Sequence, residues 1–127
     1  MTTPISNYFE DGILAYEQEN YIAALEAFTK AIRLSLGDLA EAHLFRGLSY
    51  AYLEAYDKAM ADFNEAIHHN PYLADAYNER GTLLRLREDY QLAIQDYHAA
   101  LTIDPEHYAA YYNRALAFEK LNLFVEA

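Results

Sequence analysis

The chain has 127 residues, of which 54% are apolar, a formal net charge of −11 and no cysteine. That length and apolar content suit one domain with a core, and the missing thiols exclude disulfides and thiolate metal centres and suit a reducing compartment. With 20 acids against 9 Lys and Arg, the chain lacks the basic stripe that binds nucleic-acid backbones, and anionic membrane surfaces repel it too.

The start, Met1-Thr-Thr-Pro-Ile5, has neither a basic opening nor an apolar run, so no signal peptide is expected. No apolar stretch approaches the ~20 residues that span a bilayer, and a cytoplasmic location is expected. Residues 5–39 form a first unit of two helices, closing on Leu36-Gly37-Asp38-Leu39, where Gly37 is predicted to cap the second helix in the left-handed conformation. Residues 40–73 form the second unit. Its first segment, Ala40 to Leu53, spaces Leu44, Leu48 and Ala51, and Ala42, Phe45 and Tyr52, at helical intervals. Its second, Tyr56 to His69, does so with Ala59, Phe63, Ala66 and Ile67. The link Glu54-Ala55 is short enough to make the two antiparallel neighbours, and Asn70-Pro71 stops the second helix. Residues 74–107 repeat the pattern with Gly81, Leu84, Tyr90, Ala93, Tyr97, Ala100 and Pro105. A partial fourth unit, 108–127, offers a helix over 108–121 and the start of another near Phe124.

Four series tie these units together. Tyr21, Tyr56, Tyr90 and Phe124 step by 35, 34 and 34, and Gly12, Gly47, Gly81 and Ala115 take the same steps. Ala24, Ala59, Ala93 and Ala127 form a third series, and Phe28, Phe63 and Tyr97 a fourth. A fixed period of this length means stacked supersecondary units, whose function lies in a binding surface more than in a catalytic pocket. A mid-helix glycine costs ~1 kcal/mol against alanine. Its recurrence predicts close approach, with Gly47 admitting Ala59 from the next helix. The whole of 1–127 reads as one array of about three and a half units. Its last helix, near Tyr111, Ala115 and Phe118, is left poorly covered. The chain is then a fragment of a longer array, or that helix meets another chain.

The residues resemble the tetratricopeptide repeat, whose pattern is Trp-x2-Leu-Gly-x2-Tyr, then Ala-x3-Phe, then Pro. The second unit reads His43-x2-Arg46-Gly47-x2-Tyr50, Ala59-x3-Phe63, Pro71, and the third Tyr77-x2-Arg80-Gly81-x2-Leu84, Ala93-x3-Tyr97, Pro105. Tyr or His stands for the Trp, and Arg for the Leu before the glycine. The resemblance implies an all-α fold, a right-handed α–α superhelix of antiparallel helix pairs. The first helices line its concave face, and its usual activity is binding a peptide or helix of another protein.

Carried over residue by residue, the resemblance implies a groove lined in the first unit by Ser6, Phe9, Glu10, Ile13, Tyr16 and Glu17, and in the second by Glu41, Leu44, Phe45, Leu48 and Tyr52. The third offers Asp75, Asn78, Glu79, Thr82, Arg85 and Leu86, and the fourth Ala109, Tyr112, Asn113, Leu116 and Lys120. The N-terminal zone is aromatic and aliphatic with acids beside it, which suits an amphipathic partner carrying basic residues. Leu44 and Leu48 serve equally well as packing between helices, whereas Phe9, Phe45 and Tyr52 are expected on the open surface. Chaperone-binding members of the family grip a C-terminal carboxylate with a Lys, Asn, Asn, Lys, Arg set. The matching positions here are Phe9, Ile13, Phe45, Asp75 and Glu79, which would repel a carboxylate.

Arg46, Arg80 and Arg114 recur at one position and Asp62 and Asp96 at another, which predicts a structural ladder of ion pairs. Glu65-Ala-Ile-His68 is half of a di-metal motif without its second half, His68 and His69 are helical neighbours that do not face one metal, and His43 is expected to be packed. No metal site, cofactor or catalytic set is expected. The reading is a non-enzymatic scaffold for protein–protein assembly. Self-association, or a targeting segment of a larger protein, is the alternative.

Overall fold

The computed structural model describes residues 7–126, with side chains for 8–122. These form helices and short turns, with no strand among the described residues. The chain divides into two compact units at Pro71/Tyr72. The first holds α1 (Asn7–Glu17), α2 (Tyr21–Arg33), α3 (Leu39–Tyr52) and α4 (Tyr56–His69). The second holds α5 (Ala74–Leu86), α6 (Tyr90–Ile103) and α7 (Tyr108–Glu126). Within the first, α1 pairs with α2 and α3 with α4, while α2 and α1 also touch α3. Within the second, α6 packs on both α5 and α7, and α5 reaches α7.

Helices α2 and α3 begin where a side chain satisfies a free N–H group. Asn20 Oδ1 accepts from Ala23 N–H at 3.2 Å and Asp38 Oδ1 from Glu41 N–H at 3.1 Å, which closes the first turns of α2 and α3. The ends of α1, α3 and α5 use a device that the residue types conceal. Glu19, Glu54 and Glu88 have φ of 61°, 63° and 66°. At each, the next residue donates back across the last turn: Asn20 to Ala15 O, Ala55 to Tyr50 O and Asp89 to Leu84 O, at 2.8–2.9 Å. This is the Schellman closure, which glycine usually supplies because an L side chain strains the left-handed conformation. Helix α2 closes in the same way through Ser35, φ 54°, with Leu36 N–H donating to Ala31 O at 2.8 Å. Gly37 is left-handed, φ 73°, but it lies in the link to α3, so Ser35 rather than Gly37 is the cap.

The recurring glycines make room first of all for the aromatic series. A Cβ on Gly12 would sit 2.6 Å from Phe28, one on Gly47 2.7 Å from Phe63, and one on Gly81 2.9 Å from Tyr97. The first helix of each pair thus opens a slot for the ring of the second. Phe28, Phe63 and Tyr97 fill these slots at 0–1% exposure, and the alanines around them (Ala24, Ala31, Ala59, Ala66, Ala93, Ala100) are buried. The nearest neighbour of Gly47 is thus Phe63, ahead of the expected Ala59.

A second departure lies at α7. The turn expected before Phe124 does not form, and the helix runs unbroken from Tyr108 to Glu126. Like the turns at Glu19, Glu54 and Glu88, Lys120-Leu121-Asn122-Leu123 carries no Gly or Pro, so sequence alone does not stop the helix there; in the other units the turn is held by packing of the helix that follows.

Candidate partner-binding surface

In the first unit the open side of α1 and α3 is aromatic. Phe9 meets Phe28 edge-on at 5.9 Å, and Phe45 lies over the same ring at 6.0 Å. Tyr16 stands edge-on to Phe45 at 5.3 Å and to Tyr52 at 6.1 Å. Tyr52 stacks on Tyr21 at 4.6 Å with planes 4° apart. Phe9, Ile13, Tyr16, Phe45 and Leu48 are half-buried, and Tyr52 is 60% exposed. Phe9 and Phe45 thus present one side to solvent while their other side rests on the buried Phe28. Glu10 and Glu17 are exposed and Glu41 is half-buried on the same helices. Leu44 corrects the sequence reading: at 3% exposure it is a core residue. Helix α3 packs on α1, α2 and α4, which leaves it a narrower open stripe than its apolar residues suggest. Ser6 lies outside the described residues.

In the second unit the corresponding positions are polar and bonded to one another. Ala110 N–H donates to His107 Nδ1 at 3.2 Å, so the ring carries its hydrogen on Nε2 and donates it to Asp75 Oδ1 at 2.7 Å. Asn113 Nδ2 donates to Asn78 Oδ1 at 3.2 Å. Asn78 is 5% exposed, so it buttresses Asn113 instead of lining an open surface. Half-buried Glu79 has its carboxyl pushed above its ordinary range, first by burial and then by the charge of Asp75, against the pull of His107 and Asn78. Thr82 Oγ1 and Arg85 Nε lie 3.1 and 3.4 Å from the Tyr97 hydroxyl, which ties both to the core ring. Asp75, Leu86, Ala109, Tyr112 and Lys120 are exposed, and Leu116 is half-buried.

The arginine ladder is present. Arg46 grips Asp62 with Nε on Oδ2 at 2.8 Å and Nη2 on Oδ1 at 2.7 Å, and Arg80 grips Asp96 in the same two-point way at 2.8 Å. Each pair joins the two helices of one hairpin. Burial raises the Asp62 pKa, but the bonds from Arg46 and His43 and their charges outweigh it, so the carboxyl stays below its ordinary range. Each arginine of the series also lies over a tyrosine: Arg46 over Tyr50 at 5.9 Å, Arg80 over Tyr77 at 5.6 Å and Arg114 over Tyr111 at 5.4 Å.

Tetratricopeptide repeats match residues 9–74 and 74–107. The chain belongs to the tetratricopeptide repeat family. It is 36% identical over 90 residues to Hsc70-interacting protein 1 of Drosophila melanogaster, covering 71% of this chain and 24% of that protein. It is 30% identical over 103 residues to the lipoprotein NlpI homolog of Haemophilus influenzae, covering 81% of this chain and 33% of that protein. The chain therefore spans a quarter to a third of these relatives. Among solved structures it superposes on the Arabidopsis OM64 TPR domain with a TM-score of 0.86, at 24% identity, over 91% of this chain and 95% of that one. It superposes on the first TPR of Spaghetti (RPAP3) bound to an HSP90 peptide with a TM-score of 0.84, at 22% identity, over 93% of each. The fold is the all-α superhelical repeat of this family, and the likeness points to a non-enzymatic protein-interaction module. Among the described residues no helix is long and apolar enough to cross a membrane.

Proposed function

We propose that the chain is an adaptor that holds a peptide or amphipathic helix of another protein in the concave groove of the repeat. The ring cluster of Phe9, Tyr16, Phe45 and Tyr52 is the principal contact. The observation that carries this is the 60% exposure of Tyr52 in a plane-on-plane stack with Tyr21. A large ring is held rigid at the surface, which lowers the entropy cost of using it as an anchor. Exposed Glu10 and Glu17, half-buried Glu41 and Glu79, and a net charge of −11 favour a partner segment whose polar side is basic. Tyr112, Asn113 and Arg85 offer the polar contacts. Hydrophobic and acidic side chains at Phe9, Ile13, Phe45, Asp75 and Glu79 argue against an acidic, carboxylate-terminated ligand, even though one relative is named for interacting with Hsc70 and one neighbour was solved with an HSP90 peptide.

The test is a side-by-side capture experiment with the intact chain and the Phe9→Glu/Phe45→Glu variant, with circular dichroism confirming retained helicity. Partners present with the first and absent with the second support the groove. An identical set of partners places binding elsewhere. A second reading, self-association, is favoured by the exposed row on α7, where Tyr111 and Phe118 are each 44% exposed. Light scattering over a range of concentrations separates the two, since an adaptor stays monomeric when concentrated.

A further inference from the structure

We propose that His43, Glu65 and His69 form a divalent transition-metal site, of zinc type, that staples α3 to α4. His43 stands on α3, and Glu65 and His69 stand one turn apart at the end of α4. One ligand atom from each lies within 4.8 Å of the other two. His69 Nε2 is 3.9 Å from Glu65 Oε2; the rings of His43 and His69 are stacked with centroids 5.3 Å apart, a pairing that His69 leaves to turn its in-plane lone pair toward the ion. The i,i+4 spacing puts Glu65 and His69 on one helical face.

The buried histidine is prepared for this role. Asp62 Oδ1 lies 3.2 Å from His43 Nδ1. Both oxygens of Asp62 accept from the two-point grip of Arg46, so His43 Nδ1 meets an acceptor and carries the hydrogen. The lone pair of the neutral ring is then on Nε2. A carboxylate that fixes the tautomer and aim of a ligating imidazole is the usual support behind histidine-bound zinc. Asp62 is thus a positioning residue and makes no contact with the metal. The charge of Arg46, which would repel a cation, is already answered by Asp62.

Two imidazoles and one carboxylate suit zinc, with bonds of about 2.0–2.2 Å and a fourth position left to water. Such a metal needs its ligand atoms about 3.3 Å apart. The remaining closure falls to Glu65 and His69, which are exposed and reach it by rotamer changes. Residues 43 and 65–69 are distant in sequence and meet only because the hairpin is antiparallel. Since the folded hairpin alone presents all three ligands, binding is linked to stability.

The experiment titrates Zn2+ into the EDTA-stripped full chain, with calorimetry for stoichiometry and affinity and thermal melting for stability. The expected result is one ion per chain and a Tm rise of about 4 °C or more at a hundredfold excess over Kd. His69→Ala and Glu65→Gln should each weaken binding by about tenfold or more, and His98→Ala, on α6, should leave it unchanged. No saturable binding below about 1 mM overturns the site. So does His69→Ala binding as tightly as the parent, or a loss in His68→Ala equal to that in His69→Ala.

Discussion

The two units share a hairpin and differ in what they leave open. In the first, the exposed sides of α1 and α3 carry Phe9, Tyr16, Phe45 and Tyr52. In the second, α5 and α7 carry Asp75, Glu79, Asn113 and Tyr112, with Asp75 and Asn113 already committed to His107 and Asn78. The interior is nearly the same in both: a glycine slot, an aromatic ring in it, and an arginine gripping an aspartate. The repeat therefore conserves what closes a hairpin, and individuality lies on the surface of the first helix. An apolar, weakly directional patch sits in one unit and a hydrogen-bonded polar patch in the other.

The deepest test of the shared interior is the ladder. Arg46→Met leaves Asp62, whose side chain is 4% exposed, without its two-point partner, and Arg80→Met does the same to Asp96, 9% exposed. Each should lower unfolding free energy by about 2–4 kcal/mol in urea melts, toward the range for a broken buried pair. The cost should be smaller for Arg80, which is itself more exposed (26% against 19%). Partner capture by the folded fraction should survive both. Gly47→Ala comes next. Its Cβ would fall 2.7 Å from Phe63, against 2.9 Å for Gly81→Ala and Tyr97. Overpacking of this kind costs about 1–3 kcal/mol, and the Gly47 variant should melt lower than its counterpart in the second unit.

The smaller tests concern single groups. Glu54→Gly relieves a left-handed glutamate, φ 63°. Glycine loses more freedom on folding, so the net gain should be only about 0.5–1 kcal/mol, read as a higher Tm. Glu79→Gln probes the polar unit. The folded chain raises this carboxyl above its ordinary 4.5, so it favours folding when protonated and loses that contribution as pH rises through the raised value. The amide variant should therefore be slightly more stable at neutral pH, by under about 1 kcal/mol. Its advantage should fade as pH falls toward 4.5, the unperturbed value.

Much of this architecture is legible in the residues. The period placed the hairpins α1–α2, α3–α4 and α5–α6 but not the unbroken α7, the Arg and Asp series announced the ladder, and Phe9, Phe45 and Tyr52 keep an open side. The rest was hidden for physical reasons. Composition does not tell a groove leucine from a core leucine, and Leu44 is buried because three helices cover α3. Glutamate is a poor signal for a left-handed cap, so Glu19, Glu54 and Glu88 look like ordinary surface acids until their φ angles are known. The glycine's true neighbour, Phe63, and the convergence of His43 on Glu65 and His69 depend on the register of two antiparallel helices, which a period does not specify.

The central claim is that the open ring cluster of α1 and α3 holds the partner. Once a partner has been captured, its affinity for the parent chain and for Tyr52→Glu decides the matter, because Tyr52 is exposed enough to be changed without disturbing the core. The account predicts binding weakened by about thirtyfold or more, as for an anchor worth about 2 kcal/mol, with an unchanged circular dichroism spectrum. Equal affinity for the two proteins would contradict it.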